Sequence, residues 1–81
     1  MTKHEVFNII RDNVLTILPD LTPDAVTIDG RMKDLGANSI DRMEIVTKSM
    51  EDLVVQVPLV ELGGVSNIRG LVDLLYERKS A

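Results

Sequence analysis

Apolar residues recur at intervals of three and four in three separate segments, and this spacing leaves few folds open to the chain. The first segment contains Val6, Ile9, Ile10, Val14, Ile17 and Leu18. The spacing predicts an amphipathic helix from about residue 3 to 18, which Pro19 ends because proline cannot continue a helix. Thr2 and Glu5 have the spacing of a capping box at its start.

The other capping and helix-breaking residues complete the prediction of fold class. A second helix is predicted from Ser39 to about Val54, and a last helix after Ser66 or Asn67, either of which can cap it. Residues 19–38 are predicted to form a long first loop with a helical turn at Thr22-Pro23-Asp24. Pro58 and the pair Gly63-Gly64 bound a second segment, 59–62, which has room for one short helical turn. The apolar residues of the first loop are spaced to hold it onto the helices, and the polar tail Glu77–Ala81 is predicted to fray. The expected fold is all-α, a small bundle of three main helices, a short third helix and a long first loop.

Composition excludes several classes of function. Eighty-one residues predict one domain, 1–81, and without cysteine neither a disulfide nor a thiolate metal site is available. The single histidine, His4, is predicted to be a surface residue, and no metal site is expected. One Phe, one Tyr, no Trp and a net charge of −4 argue against binding nucleic acid. No apolar run is long enough to span a membrane, so we expect no membrane insertion and a cytoplasmic location.

The negative charge is concentrated in one part of the sequence. Between Asp34 and Glu61 there are six acids and two bases, Arg42 and Lys48, which together account for the whole net charge of −4. Such a concentration is typical of a solvated acidic helix face, and it is also what electrostatic attraction of a basic partner requires. The residues alone leave both interpretations open.

The second helix is apolar over more of its circumference than one buried face needs. Its apolar residues cover an arc of about 220°, against a stripe of somewhat more than about 100° for a helix buried on one side. Ile45, Val46 and Leu53 are predicted to enter the core. The opposite flank, with Ile40, Met43 and Met50, is predicted to stay partly exposed beside Glu44 and Glu51 as a partner-binding strip. The alternative is that the whole arc is buried.

The stretch Asp34-Leu35-Gly36-Ala37-Asn38-Ser39-Ile40-Asp41 joins the loop to the second helix. Gly36 can adopt positive φ in a turn, and Asn38 is a favoured N-cap, which places Ser39 at the first helical position. A phosphate esterified to the Ser39 hydroxyl would lie beside free N–H groups and the positive end of the helix dipole. The simpler alternative is that Ser39 only helps to cap the helix. No base lies near Ser39 in the sequence, so a catalytic triad is not expected and we predict no enzymatic activity.

At these residues the chain resembles the acyl carrier proteins, whose attachment motif runs Asp-Leu-Gly-(small)-Asp-Ser-Leu-Asp. The resemblance extends from about Val6 to Tyr76, with Asn38 in place of an acid and Ile40 in place of leucine. It implies an acyl-carrier-type bundle in which Ser39 carries 4′-phosphopantetheine, attached by a phosphopantetheinyl transferase. It also favours the reading of the acids as groups that attract partners. The docking residues it implies are Ile40, Asp41, Met43, Glu44, Thr47, Met50 and Glu51.

The departures from that motif indicate which kind of carrier this is. Asn38 and Met50 stand where fatty-acid carriers usually have acids, and Arg42 and Lys48 are interpreted as further diluting the negative face. The run from Gly36 to Glu44 is similar to the free-standing donor carriers of polyketide β-branching cassettes. That resemblance implies a monomeric carrier of malonyl and then acetyl groups, loaded by an acyltransferase or decarboxylase. It implies delivery of acetyl to an enzyme that resembles hydroxymethylglutaryl-CoA (HMG-CoA) synthase. The alternatives are a carrier for fatty-acid, other polyketide or aminoacyl transfer, and a helical interaction module without a prosthetic group.

Overall fold

A computed structural model describes residues 1–80 as an all-helical bundle, which confirms the predicted fold class. The α-helices are α1 (Lys3–Ile17), α2 (Ser39–Leu53), the short α3 (Leu59–Leu62) and α4 (Ile68–Ser80). The first loop, 18–38, contains two 3-10 turns, at Pro23–Ala25 and Lys33–Leu35. No strand occurs within 1–80, and Val55-Gln56-Val57 joins α2 to α3 without regular secondary structure.

The start of α1 is fixed by the predicted capping box. The Thr2 hydroxyl accepts a hydrogen bond from the Glu5 N–H at 3.2 Å, and the Glu5 carboxylate accepts one from the Thr2 N–H at 2.9 Å. The backbone hydrogen bond from Thr2 lowers the pKa of Glu5, because it stabilises the ionised carboxylate. The helix ends at Ile17, just before Pro19, as the sequence predicted to within one residue.

The core lies where α1 packs against both α2 and α4. Each of the three long helices contributes the apolar stripe that its spacing predicted. The fully buried members are Val6, Ile10 and Val14 of α1, Ile45 and Leu53 of α2, and Ile68, Leu71, Val72 and Leu75 of α4. Burial of these side chains is the main favourable term that holds the three helices together.

One buried polar contact crosses the core between α1 and α2. The Asn13 side-chain amide donates to the Ser49 hydroxyl at 3.0 Å and to a carboxylate oxygen of Asp52 at 3.1 Å. Ser49 is completely buried and Asn13 nearly so. Because a buried polar group without a partner is costly, this contact favours one register of α1 against α2.

The helix α2 ends at Leu53, within one residue of the predicted end, and its cap affects Met50. Val54 takes a left-handed conformation, with φ of 54°, and the Val55 N–H donates to the Met50 carbonyl at 3.0 Å. This is the Schellman arrangement, in which the residue after the turn often makes an apolar contact with the last turn of the helix. Met50 and Val55 are both half-buried against the core. Met50 is therefore partly exposed, as predicted, but it also packs against the core.

The last helix is longer than predicted. Asn67 provides the cap, accepting a hydrogen bond from the Gly70 N–H at 2.9 Å. The helix then continues to Ser80, so the prediction that residues from Glu77 fray is wrong for 77–80, and Ala81 lies outside the described residues. Arg78 pairs with Glu61 of α3, which stabilises the helix near the predicted fraying point.

We expect Asn13→Ala to lower the free energy of unfolding by about 1–3 kcal/mol, because the buried Ser49 hydroxyl would lose its partner. Asp12→Ala is the matched control, since Asp12 is an exposed neighbour on the same helix. The measurement is urea unfolding followed by circular dichroism. Equal stability of the two variants would show that the contact between α1 and α2 contributes nothing.

Candidate functional site

The long first loop is held onto the bundle by its apolar residues, as the sequence predicted. Val26 and Met32 are buried in the core, and Leu21, Ile28 and Leu35 are half-buried against it. A loop of this length is usually anchored or functional. Here the anchoring fixes the approach of the chain to the start of α2.

Two polar contacts join the middle of this loop to the start of α4. The Ile68 N–H donates to the Gly30 carbonyl at 2.9 Å, and the Arg69 Nε donates to a carboxylate oxygen of Asp29 at 2.8 Å. The hydrogen bond from Arg69 lowers the pKa of Asp29, and the same bond raises the pKa of Arg69. The loop is therefore attached both to the core and to the start of α4 before it reaches Gly36.

The turn into α2 requires glycine at one position. Gly36 has φ of 99°, in the left-handed region, and it ends the second 3-10 turn. Its N–H donates to the Lys33 carbonyl and the next N–H, of Ala37, donates to the Met32 carbonyl, both at 3.1 Å. A side chain at Gly36 would meet no atom within 4 Å, so the backbone conformation is what selects glycine.

Asn38 caps α2 and places Ser39 at its first residue, as predicted. The Asn38 side chain accepts from the Asp41 N–H at 2.8 Å, and the Asp41 carboxylate accepts from the Asn38 N–H at 3.2 Å. Asp41 therefore has a structural role in addition to its charge. The N–H groups of Ser39 and Ile40 donate to no carbonyl of the preceding loop and remain available at the helix N-terminus.

These features fit a phosphodiester on Ser39. The side chain of Ser39 is exposed, so a bulky group can be esterified to it without disturbing the core. The free N–H groups of the first turn and the helix dipole both favour a negative charge at that position. The simpler interpretation, in which Ser39 caps the helix, is wrong because Asn38 fills that role.

The outward side of α2 carries most of the docking residues implied by the sequence. Ile40 and Met43 are 68% and 46% exposed, and Glu44, Thr47 and Glu51 are exposed as well. Asp41 and Met50 are half-buried at the edge of this surface. We call the five exposed residues the docking face. Exposure decreases across the apolar arc from Ile40 through Met43 to Met50, but all three residues are at least partly exposed, as predicted.

On the other side of Ser39 lies a cleft of about 460 Å³ between α2, α3 and the first loop. Its apolar wall is formed by Met32, Met43, Val46, Leu62, Val65 and Leu71. Three bases, Arg31, Lys33 and Arg42, also line it, together with Ser39 itself. The interpretation of Arg42 as a base that dilutes the acidic face stays a prediction. Arg42 is half-buried and lines the cleft.

Comparison with known proteins gives the family of a chain with this fold and site. The model of the family described as "Phosphopantetheine attachment site" matches residues 8–75. The chain is 37% identical over 78 residues to the polyketide biosynthesis acyl carrier protein AcpK of Bacillus subtilis, covering 96% of this chain and 95% of AcpK. It is 38% identical over 72 residues to the acyl carrier protein of Campylobacter hominis, covering 88% of this chain and 90% of that one.

A solved structure supports the same relationship. The model matches a chain of the crystal structure of the curacin-pathway HMG synthase in complex with its acetyl donor acyl carrier protein. The TM-score is 0.82 at 37% identity, and the match covers 94% of this chain and 96% of the other.

Fold, site and comparisons together define a carrier rather than a catalytic family. The chain belongs to the phosphopantetheine attachment-site family and is an acyl carrier protein, similar to carriers of polyketide biosynthesis. It carries covalent 4′-phosphopantetheine, whose thiol holds an acyl group as a thioester. No helix within 1–80 has the length and apolar character that crossing a membrane requires.

Sequence reasoning missed two groups of residues. Asn13 and Ser49 are polar residues within apolar helical stripes, and their position on the helix was the available signal for a buried pair. Arg42 lies eleven residues before Leu53, which places it only about 20° from that buried leucine around α2. That angle could have indicated an inward-facing base. Nothing in the sequence placed Arg31 and Lys33 beside it, since both are on the first loop.

We expect Asp29→Asn to lower the melting temperature at neutral pH, because it removes the charge that pairs with Arg69 and fastens the loop. The pKa of Asp29 is lowered by folding, so its contribution is present above the unfolded value of 3.8 and is lost as pH falls through the folded pKa. The difference in melting temperature from wild type should therefore disappear in acid.

Asp24→Asn is the control, since Asp24 is an exposed acid of the same loop. Thermal unfolding is followed from pH 7 down to about pH 2, below the usual carboxylate range. A difference that persists unchanged at the lowest pH would mean that the side-chain shape of Asp29, and not its charge, holds the loop.

Proposed function

We propose that Ser39 is the residue that carries the 4′-phosphopantetheine arm, and that the loaded arm delivers an acetyl group for polyketide β-branching. The single observation that supports the attachment residue most strongly is the exposed hydroxyl at the first position of α2, directly after the turn at Gly36 and the cap at Asn38. Ser49 is fully buried, which argues against it as the attachment residue.

The chain supplies position rather than catalysis. His4 is an exposed residue of α1 and does not line the cleft beside Ser39, so it is not placed to act as a general base for the serine. Activation and attachment therefore belong to a phosphopantetheinyl transferase. We infer that the protein has no enzymatic activity of its own.

The proposed acyl cargo is malonyl and then acetyl, loaded by an acyltransferase or a decarboxylase. An HMG-CoA-synthase-like enzyme is the proposed acceptor of the acetyl group. Support comes from the likeness to AcpK and to the acetyl donor carrier in complex with the curacin-pathway HMG synthase. Both likenesses extend over nearly the whole chain, so they include α2 and its docking face.

The docking face supplies the contact for that partner. Ile40 and Met43 form an exposed apolar pair, and Glu44 and Glu51 beside them make no ion pair within 1–80. Apolar residues with free acids at their edge suit brief, reversible docking to a basic surface, because charge speeds encounter while the small contact area permits release. Asp41 and Met50 extend this surface at its edge.

A second candidate is a carrier in fatty-acid synthesis. The observation that favours it is the 38% identity to the acyl carrier protein of Campylobacter hominis. The two candidates share Ser39 and the arm but differ in which enzymes accept the loaded protein. Transfer from the acetyl form to an HMG-CoA-synthase-like enzyme, compared with elongation by fatty-acid ketosynthase, separates them.

We expect Ser39→Ala to abolish the mass gain that a promiscuous phosphopantetheinyl transferase produces with coenzyme A. Circular dichroism should be unchanged, because Asn38 rather than Ser39 caps α2. Ser66→Ala is the matched control and should still gain the arm. Intact-mass spectrometry gives the answer, and modification that persists in Ser39→Ala would assign the arm to another residue.

We expect Ile40→Glu to slow acetyl transfer to the HMG-CoA-synthase-like enzyme about tenfold or more, because docking would bury an uncompensated charge. Ile40 is 68% exposed and does not line the basic cleft, so stability should be little changed, and arm attachment is checked by intact mass. It is a cleaner probe than Met50→Glu, which would disturb the core. Ala25→Glu adds the same charge on the first loop, outside the docking face, and should transfer normally. Unimpaired transfer by Ile40→Glu would remove Ile40 from the contact.

A further inference from the structure

The cleft beside Ser39 has a charge opposite to that of the protein as a whole. The chain has a net charge of −4, with thirteen acids against nine lysines and arginines. Nevertheless the residues that line the cleft include three bases, Arg31, Lys33 and Arg42, and no acid. The lining of the cleft therefore has a local excess of positive charge, which suits a ligand of negative charge.

None of the three bases is neutralised by a partner within 1–80. The four ion pairs of this part of the chain use Lys3, Lys48, Arg69 and Arg78 instead. Lys48 is the other base of α2, and it pairs with Asp52 at 3.8 Å on the side away from the cleft lining. The guanidinium and ammonium groups of the cleft are therefore free to bind an anion.

Arg42 is also in an unusual position for a base that serves only solubility. It lies about 20° from Leu53 around α2, on the side that faces the bundle, and its side chain is half-buried. Arginine in such a setting presents a planar donor pair that suits a carboxylate. Val46 and Leu62 of the apolar wall lie in the same cleft, so an anion bound there is partly shielded from water.

The other two bases are placed by the anchored loop. Arg31 follows directly after Asp29 and Gly30, which bind the start of α4, and Lys33 begins the second 3-10 turn. Between them, Met32 is buried and fixes the backbone. The backbone that carries these two bases is therefore held in place on the first-loop side of the cleft, whereas Arg42 lines the cleft from α2.

We propose that this cleft is an anion subsite that holds the free carboxylate of a dicarboxylic acyl group, such as malonyl, carried on the protein's own arm. This inference rests on the proposed attachment at Ser39, since the arm must begin at the edge of the cleft. A volume of about 460 Å³ is within the usual range for a pocket that holds a small ligand, so it can accommodate a short acyl group. Tethering makes even weak binding effective, because the local concentration of the acyl group is in the millimolar range.

The subsite distinguishes two forms of the loaded carrier. An acyl group that ends in a carboxylate is held against the three bases, with its thioester withdrawn beside the apolar wall. Acetyl has no charge and makes no such contact, so its thioester stays accessible to a partner enzyme. The cleft thus retains the carboxylated precursor and releases the neutral group for delivery.

The test compares the apo, holo, acetyl and malonyl forms of the full chain, prepared from coenzyme A and its thioesters with a promiscuous transferase. The measured quantity is the rate at which hydroxylamine cleaves each thioester, divided by the rate for the same thioester of coenzyme A. At low salt we expect the malonyl form to be protected about two- to fivefold relative to the acetyl form, the range typical of exposed charge pairs. Protection should fall as salt screens the bases.

Two variants identify the groups responsible. The double variant Arg42→Gln, Lys33→Gln should cleave at the acetyl-like rate in both forms, whereas Lys79→Gln, which removes an exposed base of α4 outside the cleft, should keep the protection. The arginine side-chain NMR signals should shift only in the malonyl form. Equal protection of both forms, or protection that survives the double variant or high salt, would overturn the proposal.

The phosphodiester of the arm is the other possible anion, and the same samples distinguish it. If it occupied the subsite, the arginine signals would shift equally in the holo, acetyl and malonyl forms, which would overturn the assignment to a carboxylate. Failure of coenzyme A to load wild type at all would instead contradict attachment at Ser39. The two proposals therefore fail in different measurements.

Discussion

The attachment of the first loop to the start of α4 is the contact on which the rest of the site depends. The Gly30 carbonyl and the Asp29 carboxylate hold the first two residues of α4, Ile68 and Arg69. Beyond this point the chain has only a few residues in which to reach Gly36 and turn into α2. Its position fixes both the entry angle of α2 and the side chains on the rim of the cleft. The ion pair is exposed and the carbonyl bond is not charge-dependent, so the two contacts respond differently to pH and salt.

Local signals in the sequence were sufficient for the helices and for the serine. The capping residues Thr2 and Asn38 are recognisable because hydrogen bonds between near neighbours determine a helix start. The turn at Gly36 is recognisable for the same reason, since only glycine readily adopts positive φ. The position of Ser39 follows from these two signals. It therefore required no knowledge of how the helices pack.

What the sequence did not reveal depends on contacts between distant segments. Val54 is a β-branched residue in a left-handed conformation that it rarely adopts, so the cap at Val54 and the contact of Met50 with the core were not apparent. The bond between Asn13 and Ser49 joins residues 36 positions apart. Periodicity shows that each lies within an apolar stripe, but only the packing of α1 on α2 shows that they meet. The continuation of α4 past Glu77 likewise depends on a contact with Glu61 of α3.

Ser39 lies between two surfaces of opposite charge, and this position allows the two surfaces to have different functions. Glu44 and Glu51 face outward on α2, whereas Arg42, on the same helix, lines the cleft. A single uniformly acidic helix would attract basic partners but would repel a carboxylated acyl group from its own surface. Dividing the charges around α2 reduces that conflict, because at physiological salt the field of an exposed charge is screened over about 8 Å. A basic partner that docks on the outward side brings its own positive charge towards Ser39, and it thereby competes with the cleft for an anionic group. In the proposed scheme, docking of the partner therefore promotes release of a carboxylated acyl group from the cleft. A neutral acetyl group is not held in the cleft, so its delivery does not depend on this competition.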